Sequence, residues 1–85
     1  MNTLKNFRKK IDLIDKSIVR LLLLRFNVAR QIGSYKEKNK ISIKDNKREA
    51  QVLRNVAKLS KNNDFIKKTF KSIIEYSKMK CQKKN

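Results

Sequence analysis

Apolar residues recur along the first part of this chain with heptad spacing. Leu4, Phe7, Ile11, Ile14, Ile18, Leu21, Val28, Ile32 and Tyr35 follow steps of three and four, and the one remaining slot holds Arg25. Such a series keeps one stripe of an α-helix apolar along its length, so it predicts a single helix from about residue 3 to 38. At about 1.5 Å per residue that helix is roughly 50 Å long. A compact domain of 85 residues has a radius of gyration of about 12 Å. The helix must therefore project beyond the rest of its own chain and leave its seam in need of a partner. Two copies that pair their long helices and pack the shorter ones across them solve the problem, so an intertwined homodimer is expected.

The rest of the chain also reads as helical. It has no Pro and one Gly, and it is rich in Leu, Ile, Lys and Arg, a composition that favours helices over strands and turns. The long helix should end at EKNKISIKDNK, where Ile41 and Ile43 are expected to fold back as apolar plugs in a short loop. Asp45 is the expected N-cap of a second helix that carries Val52, Leu53, Val56 and Leu59 on one face. KNND, residues 61–64, makes a second break, with Asp64 as the expected cap. The third helix should bury Phe65, Ile66, Phe70, Ile73, Ile74 and Ser77, and the terminal QKKN should fray. Gly33 lies inside the first helix at a cost of about 1 kcal/mol relative to Ala. It marks either a close approach or a solvent-facing position. The expected class is all-α: a three-helix subunit with a long first helix, forming one domain over residues 1–85.

Charge and cysteine content restrict the chemistry. The formal net charge is +17, which attracts anions of any kind. Scattered lysines on solvated faces account for most of it. There is no His, so histidine acid–base catalysis is excluded, and the single cysteine, Cys81, leaves no internal disulfide or Cys-based zinc site. Asp12, Asp15, Lys16 and Arg20 interrupt any signal-peptide core, and no apolar run is long enough to span a membrane. A soluble cytoplasmic protein is the expectation.

Arg25 interrupts the most apolar run in the chain, LLLLRFNVAR. An unpaired guanidinium costs several kcal/mol to bury, so it needs an anion. One reading is a buried ion pair or a register-setting polar residue; the other is an anionic ligand. Periodicity leaves both open. Lys36 stands eleven residues further on, about three turns, and shares a face with Arg25, Ala29 and Ile32. Two cations on one otherwise apolar face point to a pocket. Asp45, Arg48, Glu49 and Val52 share one side of the second helix, although Asp45 could serve only as a cap and Glu49 only as a partner of the helix dipole. Ser77 lies on the buried face of the third helix, where it could simply bond its own backbone. Arg8 is about 25 Å from Arg25 along the same helix. It cannot reach the same pocket from the same chain, but in an antiparallel dimer it could reach the other subunit's.

Taken together and in order, FRKKIDLID at 7–15, LRF at 24–26, IGSYK at 32–36, DNKRE at 45–49 and IIEYS at 73–77 resemble the all-helical, AroQ-class chorismate mutases over nearly the whole chain. Each stretch is weak alone. The resemblance implies an intertwined dimer of three-helix subunits that rearranges chorismate to prephenate, on the way to phenylalanine and tyrosine. It also implies that no metal or cofactor is needed. Arg25 of one chain and Arg8 of the other would clamp the substrate's carboxylates. Lys36 would donate to the ether oxygen and a neighbouring carboxylate. Asp45, Arg48 and Glu49 would orient the ring hydroxyl end and each other, and Ser77 would bond a carboxylate. Ile32, Val52 and Ile74 would form apolar walls. Lys36, Arg25, Glu49 and the residue at position 81 would stand closest to the chemistry.

Position 81 departs from the pattern. Family members commonly carry Gln, sometimes Glu, four residues after the helix-three Ser, as a donor to the ether oxygen. Here Cys81 takes that place and Gln82 follows. A thiol is a weak donor, and neighbouring helical residues point about 100° apart. The resemblance thus implies either reduced turnover or a distorted last turn that brings Gln82 inward. Three rival readings remain at this level. An isochorismate–pyruvate lyase of the same fold would also use Arg25, Lys36 and Arg8. An inactive structural or regulatory dimer would keep the fold. A basic nucleic-acid-binding module fits the charge, but no zinc motif or aromatic-rich stretch supports it and no specific nucleic acid is expected.

Overall fold

The computed structural model describes residues 2–82, without the side chain of Gln82. Three helices follow in order: α1 (Thr3–Lys38), α2 (Asn46–Leu59) and α3 (Asp64–Gln82). The first helix has the predicted bounds. Asn2 caps it, its side chain accepting from the Lys5 amide at 2.9 Å, and no Pro interrupts its 36 residues. The expected fraying of the terminal QKKN falls, for residues 83–85, outside the described residues; at Gln82 the backbone is still helical.

Both helix ends that lead into loops use the same device without glycine. After α1, Lys40 adopts φ 54°, while the Ile41 amide donates to the Lys36 carbonyl at 2.8 Å and the Lys40 amide to that of Glu37 at 3.3 Å. After α2, Lys61 and Asn62 have φ of 54° and 60°, and the Asn62 amide donates to the Ala57 carbonyl at 2.8 Å. These are Schellman ends, with orphan carbonyls satisfied by left-handed residues. A side chain in that region costs roughly 1–2 kcal/mol, which the closing hydrogen bonds offset. As predicted, Asp45 caps α2, accepting from the Arg48 amide at 3.0 Å. For α3 the cap is Asn63 rather than Asp64: its Oδ1 accepts from the Ile66 amide at 2.9 Å. Asp64 sits one residue later, in the first turn, where its charge faces the positive end of the helix.

Helix α3 packs against both α1 and α2, which do not approach one another closely among the described residues. The buried centre is small: Ala29, Val56, Ile74 and Ser77, with Gly33 beside them. The stripe of α1 that faces α3 is Leu22, Phe26, Ala29 and Gly33, one step around the helix from the predicted seam. Phe26 meets Tyr76 edge-on, with ring centroids 4.6 Å apart. Gly33 marks a close approach: a Cβ there would lie 2.7 Å from the Cys81 Cα. Three expected core residues are instead exposed in the subunit, Leu59 at 85%, Phe65 at 76% and Ile66 at 39%; Leu59 ends α2, and Phe65 and Ile66 lie in the first turn of α3. Ile41 is likewise half-exposed, whereas Ile43 is partly buried and closes the loop.

The seam itself has no partner among the described residues. Every residue from Asn2 to Leu21 is exposed, including Phe7, Ile11, Ile14 and Ile18. The molecule measures 60 × 28 × 16 Å with a radius of gyration of 16.5 Å, well above the roughly 12 Å of a compact chain this long.

Candidate active site

Because α1 and α2 are held apart by α3, a pocket of about 280 Å³ opens between them. Each wall follows from a helical repeat. Arg25, Ala29, Ile32 and Lys36 recur on one face of α1; Asp45, Arg48, Glu49 and Val52 on one face of α2; Ile74, Ser77, Lys78 and Cys81 on one face of α3. Ile43 closes the rim from the loop. A larger open concavity, about 670 Å³, is lined by α1 alone, from Lys16 to Asn27, and has no polar groups converging on it from a second element.

Arg25 is the central cation. Its Nη1 donates to Ser77 Oγ at 2.5 Å, and the Ser77 hydroxyl donates in turn to the Ile73 carbonyl at 2.8 Å. The guanidinium also lies 6.0 Å from the Phe70 ring centroid. Among the described residues no carboxylate comes within ion-pairing distance of it. Burial, and then the positive charge of Arg48, push its pKa below the ordinary value; a guanidinium nevertheless stays charged at any physiological pH. Among the described residues the ion-pair reading of Arg25 therefore fails, and no carboxylate compensates its charge.

The other polar groups surround it. Lys36 Nζ donates to the Ile43 carbonyl at 3.3 Å, a neutral acceptor, and among the described residues no carboxylate pairs with it. Arg48 Nη1 donates to Gln51 at 2.8 Å. Asp45 is both cap and pocket wall. Glu49 pairs with Lys78 at 3.3 Å. Cys81 Sγ donates to the Ala29 carbonyl at 3.0 Å, so its hydrogen points at α1 rather than into the pocket. Helix α3 stays α-helical through Gln82, without a distorted last turn, and Cys81 is the residue that lines the pocket. The inward placement considered for Gln82 concerns a side chain outside the described residues.

The structure thus brings together Arg25, Ile32, Lys36, Asp45, Arg48, Glu49, Val52, Ile74, Ser77 and Cys81. It does not bring Arg8, which lies on the exposed first half of α1. Val28, Ala29, Ile43 and Lys78 also line the pocket. Lys78 went unnoticed in the sequence because one more lysine in a lysine-rich helix carries no signal; only its position directly after Ser77 hinted at it.

A chorismate mutase type II family model matches residues 7–81. The chain is 39% identical over 80 residues to a bifunctional chorismate mutase/prephenate dehydratase of Buchnera aphidicola from Schizaphis graminum, covering 89% of this chain and 21% of that protein. It is 33% identical over 79 residues to a chorismate mutase of Methanocaldococcus jannaschii, covering 88% of this chain and 80% of that one. A conserved hypothetical protein from Pyrococcus furiosus superposes with a TM-score of 0.80 at 36% identity, covering 96% of this chain and 99% of that one. The chain spans about a fifth of the length of the bifunctional relative. A pocket between three helices in which Arg25 and Lys36 have no carboxylate partner among the described residues, and a family model that covers nearly all of those helices, lead to one assignment: this chain belongs to the chorismate mutase type II family.

Proposed function

We propose that the chain rearranges chorismate to prephenate in aromatic amino acid biosynthesis, acting in the cytoplasm as a homodimer whose long helices pair. The observation that carries the reading is Arg25: a half-buried guanidinium, without a carboxylate partner among the described residues, aimed into a pocket it shares with Lys36 and Arg48. Chorismate is a dianion, and its rearrangement breaks a C–O bond and forms a C–C bond within one molecule. The work of the pocket is to hold the enolpyruvyl arm over the ring in its reactive shape and to stabilise the charge that develops on the ether oxygen.

Each side chain has a role suited to its chemistry. The fork of Arg25 takes one carboxylate, and Ser77 accepts from that fork and holds it in place; its own hydrogen, given to the Ile73 carbonyl in the free pocket, turns to the same carboxylate when substrate binds. Arg8 of the partner subunit takes the other carboxylate. Lys36, tethered only by a carbonyl, donates to the ether oxygen as negative charge grows there. Asp45, Arg48 and Glu49 orient the ring hydroxyl end. Ile32, Val52 and Ile74 exclude water, which strengthens every charge interaction inside. Cys81 stands where a strong donor would help most and provides a weak one already turned toward α1. No group needs to gain or lose a proton, so a pocket without His suffices.

The test is the loss of chorismate followed by ultraviolet absorbance, with Arg25→Ala as the control. Turnover that collapses in the control supports the reading. A folded wild-type dimer that leaves chorismate unchanged, or that releases pyruvate from isochorismate instead, overturns it.

A further inference from the structure

Lys78 is the one pocket cation without a part in the chemistry above. It follows Ser77 directly on α3, and its ammonium stands between two carboxylates, 3.3 Å from Glu49 Oε2 and 3.2 Å from Glu75 Oε2. The two contacts differ in kind. Glu75 lies one turn back on the same helix with its side chain 70% exposed, the setting in which an ion pair does little. Glu49 lies on α2 with its side chain 25% exposed, in the pocket wall. Lys78 is its cationic partner, and their bridge is an ionic link between α2 and α3 at the site.

The charge count shows why such a link matters. Arg25, Lys36, Arg48 and Lys78 give four cations on the pocket wall, and Asp45 and Glu49 give two anions. A dianion entering this pocket meets the Glu49 carboxylate at close quarters. Left uncompensated, that carboxylate would repel the substrate and swing away from it; paired, it can stay in place and accept a hydrogen bond from the ring hydroxyl. Lys78 is itself poorly suited to grip the substrate, since two carboxylates already occupy it. Hydrogen bonds to Glu75 and then Glu49 raise its pKa, so it keeps its charge throughout the neutral range.

We propose that Lys78 is a positioning residue that holds the Glu49 carboxylate in the pocket and screens it from the substrate's own carboxylates. This inference rests on the mutase reading. It makes Lys78 act through Glu49, and coupling between two residues is what a double-mutant cycle measures.

The experiment compares wild type, Lys78→Met, Lys78→Arg, Glu49→Gln, the Lys78→Met/Glu49→Gln double variant and, as control, Glu75→Gln. For each, kcat and KM with chorismate are measured, together with calorimetric affinity for a stable bicyclic diacid that mimics the rearranging substrate. The affinity arm reads out even where turnover is undetectable. Lys78→Met should lower kcat/KM and analogue affinity about tenfold, within the range for residues in contact. It should cost less than about twofold when Glu49 is already Gln. Lys78→Arg should restore most of the loss, and Glu75→Gln should change little. An equal cost of Lys78→Met in both backgrounds overturns the proposal, because Lys78 would then act on the substrate or the fold directly. No cost in the wild-type background overturns it too. A folded wild-type chain that neither turns over chorismate nor binds the analogue overturns the mutase reading, and this inference with it.

Discussion

Gly33 of α1 and Cys81 of α3 touch backbone to backbone. A Cβ on Gly33 would press on the Cys81 carbonyl oxygen and lie 2.7 Å from its Cα and 2.8 Å from its carbonyl carbon. No rotamer change relieves a contact made by main chain. The approach lets the last turn of α3 lie flat on α1, which puts position 81 on the pocket wall and the thiol within 3.0 Å of the Ala29 carbonyl. Gly33→Ala should therefore destabilise the protein, even though Ala is better by about 1 kcal/mol in a helix interior. Overpacking of this kind costs about 1–3 kcal/mol, for a net loss of about 1 kcal/mol and a fall in Tm of about 4–8 °C. A calorimetric scan decides; a raised Tm would show that α3 moves aside without cost.

Arg25→Ala should cut kcat/KM by about 10²–10³, since removing one partner of a buried, hydrogen-bonded charge pair costs about 2–5 kcal/mol. Arg25→Lys should recover little of it, because an ammonium cannot form the two parallel bonds of a fork. Circular dichroism should be unchanged in both, as Ser77 keeps its bond to the Ile73 carbonyl. Activity in Arg25→Lys within threefold of wild type would refute the two-pronged clamp.

Arg8 lies on the projecting half of α1, outside its own chain's pocket. If it serves the partner's pocket, Arg8→Ala and Arg25→Ala should each be inactive alone and complement one another on mixing. A heterodimer of the two has one intact site. Random exchange at equal amounts should restore roughly a quarter of wild-type activity. Kinetics after subunit exchange provide the check, and mixtures that stay inactive while heterodimers form would exclude the shared site.

Ile14 is 54% exposed in the subunit and belongs to the unpartnered seam. Ile14→Asp should leave a single chain little changed but split the dimer. Burial of one isoleucine is worth about 1.5–3 kcal/mol, and a symmetric interface loses it twice. Sedimentation equilibrium should show a dissociation constant weakened at least about 100-fold, with activity lost in parallel. An unaltered dimer would place the interface elsewhere.

Cys81→Gln restores a strong donor where the structure has a thiol turned toward α1. Turnover should rise, by up to about 10²-fold if the missing donor is worth what an oxyanion donor is worth elsewhere. Unchanged turnover would mean that another group already supplies it.

Local periodicity was enough for much of this protein. The heptad series predicted α1 to within a residue at each end. Three- and four-residue spacings placed Arg25 with Lys36, and Asp45 with Arg48 and Glu49, on shared faces; the order of short motifs then joined these faces to Ser77 and Ile74. Spacing tells which face of a helix a residue occupies, but not what stands opposite. Tertiary packing decided that Leu22, Phe26, Ala29 and Gly33, rather than the seam, face α3. It also left Leu59 and Phe65 exposed at helix ends, made Asn63 rather than Asp64 the cap of α3, and set Lys78 against Glu49. Each of these depends on the distance between two helices, which contacts remote in the chain determine.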